Sequence, residues 1–324
     1  MNSSGTIPWK GIAAGTSAAI FYTFANVFLR KLATEVDFVV VVFIKALTTF
    51  CIFLPWLCMT ASKYERVFPS GKALWILLFA AVQVQIFGNV GQQISFGIVG
   101  MAVGVPIYIG SLVASSAILG YFFLREKISW KVSLALAVLI ASVVLLSQGG
   151  ESACEAVKKQ QTLWLSKLPF IWGALAAIGT GIAFAVLAVC IRFALKADIP
   201  PTTPVVVVSM TGAIGFGLTT FIRDGVGVID QYSLSVWGAM FAAGVCNAIA
   251  FLSLSLSLKL LPVVYVNAIN VSQVAMAAAF GVMLFCEPLS IWLTFGLILM
   301  VTGFGLLAQF GRQNDATCSP NDCK

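Results

Sequence analysis

Residues 111–130 read SLVASSAILGYFFLREKISW, and residues 272–291 read SQVAMAAAFGVMLFCEPLSI. At one fixed offset Ser111 falls on Ser272, Ala114 on Ala275, Gly120 on Gly281, Glu126 on Glu287 and Ser129 on Ser290. Each copy is an apolar helix with small residues, stopped by a Glu-containing turn and followed by another apolar helix. Internal repetition is the first thing to seek in a chain, because it decides the architecture. At an offset one residue longer, Gly11 falls on Gly173, Arg30 on Arg192, Trp75 on Trp237, Phe79 on Phe241 and Gln85 on Asn247. Single matches between apolar helices arise by chance. A nearly constant offset across four helices carries far more weight.

The chain is 60% hydrophobic and 10% charged over 324 residues, whereas a soluble domain is about 25% charged. Most of it therefore belongs in lipid. Runs of roughly 20 apolar residues, the length that crosses a bilayer, occur at 8–29, 38–59, 72–94, 98–123, 128–147, 168–193, 203–222, 234–258, 263–285 and 289–310. They lack strand-type alternation, so the expected fold is an all-α membrane protein of ten transmembrane helices. Residues 8–147 form the first five-helix repeat and 168–310 the second. Residues 148–167 are a polar linker, and 311–324 are expected to be a disordered cytoplasmic tail. Five spans per repeat is an odd number, so the two copies lie inverted in the bilayer, the build of many secondary transporters. Placing the N-terminus inside leaves twelve Lys and Arg near inner span ends and six near outer ones. That imbalance puts both termini in the cytoplasm.

The net charge of +7 comes from short basic clusters between apolar runs. These are topology signals, and no long basic tract points to nucleic acid. The first ten residues, MNSSGTIPWK, lack the basic n-region of a secretory signal. The eight Cys are scattered without a C-x-x-C pair, and there is no His. They read as small hydrophobes, with a Cys318–Cys323 bridge or metal site the weaker alternative. No metal or other cofactor is implied.

Polar groups inside a span are costly unless they face the bundle interior or a wet cavity. In the third span Gln85, Asn89, Gln92 and Gln93 share one helical face. They form either the wall of a water-filled cavity or structural hydrogen bonds between helices. Tyr22 and Asn26 share a face of the first span, as do Tyr108, Ser111 and Ser115 in the fourth. Asn267, Asn270 and Gln273 lie near one face of the ninth, and Asn247 is the repeat partner of Gln85. Lys45 is the one charged residue well inside a span. It either snorkels to the headgroups or serves as counter-charge to a substrate. All 12 Asp and Glu lie in loops, termini or helix junctions. A buried proton relay and a pocket for cationic drugs are both disfavoured. Glu126 and Glu287 are expected to be structural, each capping the helix that follows or pairing with a nearby basic side chain.

With its ten spans, two five-helix repeats and Glu126 and Glu287 after the fourth and ninth helices, the chain resembles the EamA-type family of the drug/metabolite transporter superfamily. Gly120, Glu126 and Ser129 in one copy, and Gly281, Glu287, Pro288 and Ser290 in the other, carry the resemblance. Phe21-Tyr22 stands where members often have a Trp-Gly pair, and Lys45 where many have Arg. The proline common in the fourth and ninth helices is missing from SLVASSAI and SQVAMAAA. The resemblance implies a central cavity lined mainly by the first, third, fourth, sixth, eighth and ninth spans, and export as the usual direction. It also implies a bacterial plasma membrane.

The expected function is secondary transport of small polar metabolites such as amino acids, by alternating access, as uniport or exchange. Candidate substrate contacts are Tyr22, Asn26, Lys45, Gln85, Asn89, Gln92, Tyr108, Ser111, Asn247, Asn270 and Gln273. The alternative is an organic-anion or phosphate-ester exchanger that uses Lys45. A membrane enzyme or receptor is disfavoured, since no catalytic constellation or sizeable soluble domain appears. The partners are a small-molecule substrate and the lipid bilayer, with the oligomeric state, a homo-oligomer included, left open.

Overall fold

A computed structural model describes residues 9–124, 130, 134–135, 137–138, 141–142, 144–145, 150–160, 164–225, 227, 231–261, 263–288 and 290–317. Among these residues every regular element is helical. In chain order they are α1 (Trp9–Glu35), α2 (Phe38–Thr60), α3 (Lys72–Gln83), α4 (Gly91–Val99) and α5 (Met101–Leu124). Then come α6 (Gly150–Gln160), α7 (Phe170–Leu195), α8 (Thr202–Asp224) and α9 (Leu234–Leu260). Last are α10 (Val263–Asn270), α11 (Ser272–Phe285) and α12 (Ile291–Thr317). A π-type turn over Val84–Val90 joins α3 to α4 within one long rod.

Eight helical stretches among the described residues are long and apolar enough to cross a membrane, and a shorter apolar helix runs over Thr294–Gly303. The expected count of ten is therefore reached only in part. Most of the expected fifth span, 128–147, falls outside the described residues. Two boundaries also differ from expectation. The linker holds α6, because Cys154 and Val157 give it a buried side that packs near α4. Helix α12 continues past Phe310 to Thr317, since no proline interrupts it before Pro320; only residues 318–324 of the tail lie outside the described residues.

Helix ends follow local chemistry. Asp37 caps α2 by accepting the Val39 N–H at 2.8 Å. Pro169 precedes α7, and Pro201 precedes α8. Facing outward, Ile214, Leu218 and Ile222 form one stripe on α8 that is 62%, 61% and 76% exposed. In water such a patch would be a liability; against lipid it is an ordinary surface.

Packing reproduces the repeat. Helix α1 lies along α9, and α7, its repeat counterpart, lies along the α3–α4 rod. Helix α2 packs on its own counterpart, α8. At one end of the bundle Gly11 fits against Leu261; at the repeat-related contact Gly173 fits against Ile98 and Val99. Without lipid-excluding water to drive association, helices meet through small residues that let backbones approach. The tightest case is Gly181 of α7, where a Cβ would strike the Tyr108 carbonyl oxygen and come within 2.7 Å of the Leu112 nitrogen.

Replacing Gly181 with Ala should therefore push α5 off α7 and cost about 1–3 kcal/mol. Gly215 meets nothing within 4 Å, so Gly215→Ala should be neutral or stabilise by up to about 1 kcal/mol. Thermal unfolding of both variants in detergent checks the contrast; equal effects would contradict the close approach of α5 and α7.

Candidate functional site

A cavity of about 90 Å³ lies where the two repeats meet. The walls come from α1, α2, the π-type turn, α4, α5, α7, α8, α9, α10 and α11. The second and seventh expected spans thus contribute too, through Lys45, Ala46 and Thr49 on α2 and Val208 and Ser209 on α8.

Two hydrogen-bonded chains organise the polar wall. In the first, Gln92 donates to the Asn26 oxygen at 3.0 Å, and Asn26 donates to the Tyr108 hydroxyl at 3.0 Å. That hydroxyl points to the Gln273 oxygen at 3.5 Å, and Gln273 donates to Asn270 at 3.2 Å. Five side chains from α4, α1, α5, α11 and α10 are thereby joined across both repeats. In the second chain the Lys45 ammonium donates to the Asn89 oxygen at 2.7 Å, Asn89 donates to Gln85 at 2.7 Å, and Gln85 donates to the Val208 carbonyl at 2.6 Å. Nearby, Asn247 donates to the Thr49 hydroxyl at 3.3 Å.

Lys45 faces the cavity, not the headgroups. It is 3% exposed, and among the described residues Asn89 is its hydrogen-bond acceptor. An ammonium has three donors, and no carboxylate is among the lining residues. A charge removed from water without a partner costs several kcal/mol, so the site favours a ligand group that accepts hydrogen bonds and carries negative charge. The rest of the wall is apolar, with Phe184, Leu187, Ile191, Phe251 and Leu254 prominent.

Three of the four amides on the stripe of the third span reach the cavity. Gln85 and Asn89 lie on the turn and Gln92 just after it, and all three line the cavity. Gln93 is 1% exposed but is not among the lining residues. Ser111 is not among them either. Its hydroxyl donates to the Ile178 carbonyl of α7 at 2.9 Å, because Gly181 brings α7 within reach. Tyr22, Asn26, Tyr108, Asn247, Asn270 and Gln273 all line the cavity, as does Asn267. Thr49, Ser209 and Phe184 had no sequence signal beyond their place in apolar helices.

Glu126 lies outside the described residues. Among the described residues Glu287 caps not the helix that follows it but one in the other repeat. Its carboxylate accepts the N–H groups of Met101 at 3.0 Å and Ala102 at 2.6 Å, at the start of α5 in the other repeat. Arg30 of α1 completes the arrangement with a 2.7 Å ion pair. The reason is geometric: α11 ends beside the start of α5, where two unpaired N–H groups and the helix dipole draw a carboxylate.

Comparison with curated proteins finds no match. Among the solved structures that match, one crystal structure has a TM-score of 0.63 and 17% identity, covering 96% of this chain and 98% of its own. At that identity it speaks for the fold alone. The EamA-like transporter family matches residues 9–148 and again 171–309. Two copies of this family's repeat fill most of the chain, which therefore belongs to the EamA-like transporter family and is a membrane transporter of the drug/metabolite transporter superfamily.

Proposed function

We propose that the chain is a secondary carrier of small polar metabolites, amino acids foremost, that works by alternating access around the central cavity. The observation that carries this reading is the cavity's chemistry: one ammonium, several amides and hydroxyls, and no carboxylate among its lining residues. Lys45 would take the carboxylate of an amino acid. The amides around Asn26, Gln92 and Gln273 would take its remaining polar groups, and the apolar wall its side chain. A volume of about 90 Å³ agrees with a small solute better than with a bulky drug. Ten helices in two inverted halves, with both termini cytoplasmic, are part of the same proposal. So are export and a bacterial plasma membrane.

Coupling to protons is not part of it. Among the described lining residues there is neither His nor carboxylate, the side chains on which proton-coupled carriers commonly rely. Uniport or exchange fits this wall. A second reading, exchange of organic anions or phosphate esters, is favoured by one specific observation: Lys45 has no acidic neighbour in the cavity.

Counterflow in proteoliposomes with a panel of amino acids, organic acids and phosphate esters separates these readings. Amino-acid flux is expected, and Lys45→Gln should slow it by roughly 10- to 150-fold, the worth of a hydrogen bond to a charged group at about 1.5–3 kcal/mol. Flux confined to anions and abolished by Lys45→Gln would move the assignment to the exchanger. No flux from a folded sample would sink both.

A second test imposes a pH gradient alone on vesicles loaded with unlabelled buffer. No accumulation of solute is expected; accumulation driven by the gradient would refute uncoupled transport.

A further inference from the structure

The Glu287 arrangement spans the two repeats at one end of the cavity. Glu287 belongs to the second repeat, at the turn that ends α11. Arg30, Met101 and Ala102 belong to the first. The carboxylate and guanidinium are 0% and 1% exposed at their side chains. The surroundings are shaped to the carboxylate: a Cβ on Gly100, which has φ +79°, would strike it, and a Cβ on Gly281 would lie 2.7 Å from Oε2. Cys286, in a left-handed conformation at φ 50°, turns the chain so that the Glu287 N–H reaches the Gly281 carbonyl at 3.1 Å. The Arg30 guanidinium also lies 5.1 Å over the Phe285 ring.

This cluster adjoins the cavity. Arg30 is one helical turn, about 6 Å, beyond Asn26 on α1. Met101 is about two turns, roughly 10 Å, before Tyr108 on α5. Leu29 and Ile109, which line the cavity on these two helices, are 1% and 2% exposed. Toward the opposite end the lining residues Tyr22, Phe184 and Leu254 are half-buried. There Arg192, the repeat counterpart of Arg30, is also half-buried and donates to the Leu261 carbonyl at 2.6 Å, just ahead of α10. The lining residues Leu29 and Ile109 at the Arg30 end are thus more buried than Tyr22, Phe184 and Leu254.

We propose that the contact of Glu287 with Arg30 and the start of α5 is a gate: it closes this end of the cavity and must break for the end to open. The inference rests on the alternating-access reading above. If the halves rock against each other, a bond between them at one end persists in only one of the two access states. The chemistry suits a reversible contact. A fully satisfied buried ion pair is about break-even against hydration, yet removing one partner costs roughly 3–5 kcal/mol. Dry, the pair holds. When the vestibule admits water, both charges regain hydration, so opening carries little net cost.

The test reads accessibility and not flux, so its result stands whatever the transported solute. Leu29→Cys is made alone and with Glu287→Gln, and each is labelled with a membrane-impermeant maleimide at the Arg30 face of sealed vesicles. The unsubstituted chain supplies the background from native cysteines. Leu77→Cys, at a position 0% exposed in α3, serves as a control for general loosening. Glu287→Gln is expected to raise labelling at Leu29→Cys about tenfold or more, a shift of at least about 1.4 kcal/mol, and to leave Leu77→Cys unchanged. Gly100→Ala should do the same by crowding the carboxylate, and Arg30→Lys should have a smaller effect. These two carry the test if Glu287→Gln does not fold. Unchanged labelling at Leu29→Cys in folded variants, or an equal rise at Leu77→Cys, would overturn the gate. Loss of fold in all three variants would also overturn it, showing a permanent structural contact.

Discussion

Lipid offers no hydrogen-bond partner, and that constraint shapes every polar feature of this chain. A side chain such as Asn26 or Gln85, placed among Ala, Val and Leu, must be satisfied inside the bundle or face an internal wet space. The protein answers in both ways at once. Gln85 ends its hydrogen-bonded chain on a backbone carbonyl of α8, and Asn26 links amides from α4 to a hydroxyl on α5. Each of these side chains also lines the cavity. The polar wall is thus held in shape by its own bonds before any solute arrives, the preorganisation that a selective site needs.

The same constraint explains why the halves meet as they do. Small residues carry the helix contacts because lipid provides no drive to bury large ones. Gly11, Gly173 and Gly181 are placed where backbones or bulky neighbours come closest. Packing through small, repeat-related contacts leaves few interdigitated large side chains to separate when the two halves move. The stronger bonds between halves are then concentrated in a few polar clusters, of which Glu287 with Arg30 is the most enclosed.

Much of this was legible from residue order. The repeat of residues 111–130 at 272–291 identified two equivalent halves, and the amide stripe from Gln85 to Gln92 marked one cavity wall. What the sequence concealed was rotation and partnership. A π-type turn has no distinct signature in VQIFGNV, and Gln93 reads as part of the stripe although it does not line the cavity. Ser111 reads as a neighbour of Tyr108 on one face, yet the close approach of α7 captures its hydroxyl. Glu287 carries the signal of a cap, but which helix it caps depends on where α11 ends in space. Lys45 was ambiguous for a similar reason: a long flexible stem reaches headgroup or cavity equally well, and only the position of Asn89 decides.

Two buried cations of the first repeat, Arg30 and Lys45, then show how the protein separates holding from binding. Both are buried, at 0% and 3% exposure. Arg30 has a carboxylate from the opposite half, and a planar guanidinium suits a partner that the protein itself supplies. Among the described residues Lys45 has an amide oxygen as its acceptor, and a compact ammonium on a flexible stem suits a partner that comes and goes. If Lys45 were structural, the simplest stable solution would be an acidic neighbour or an apolar replacement, since either removes the cost of an unmatched buried charge. Its isolation among amides is intelligible when the missing partner arrives from solution, and that is the argument for placing the solute's acidic group there.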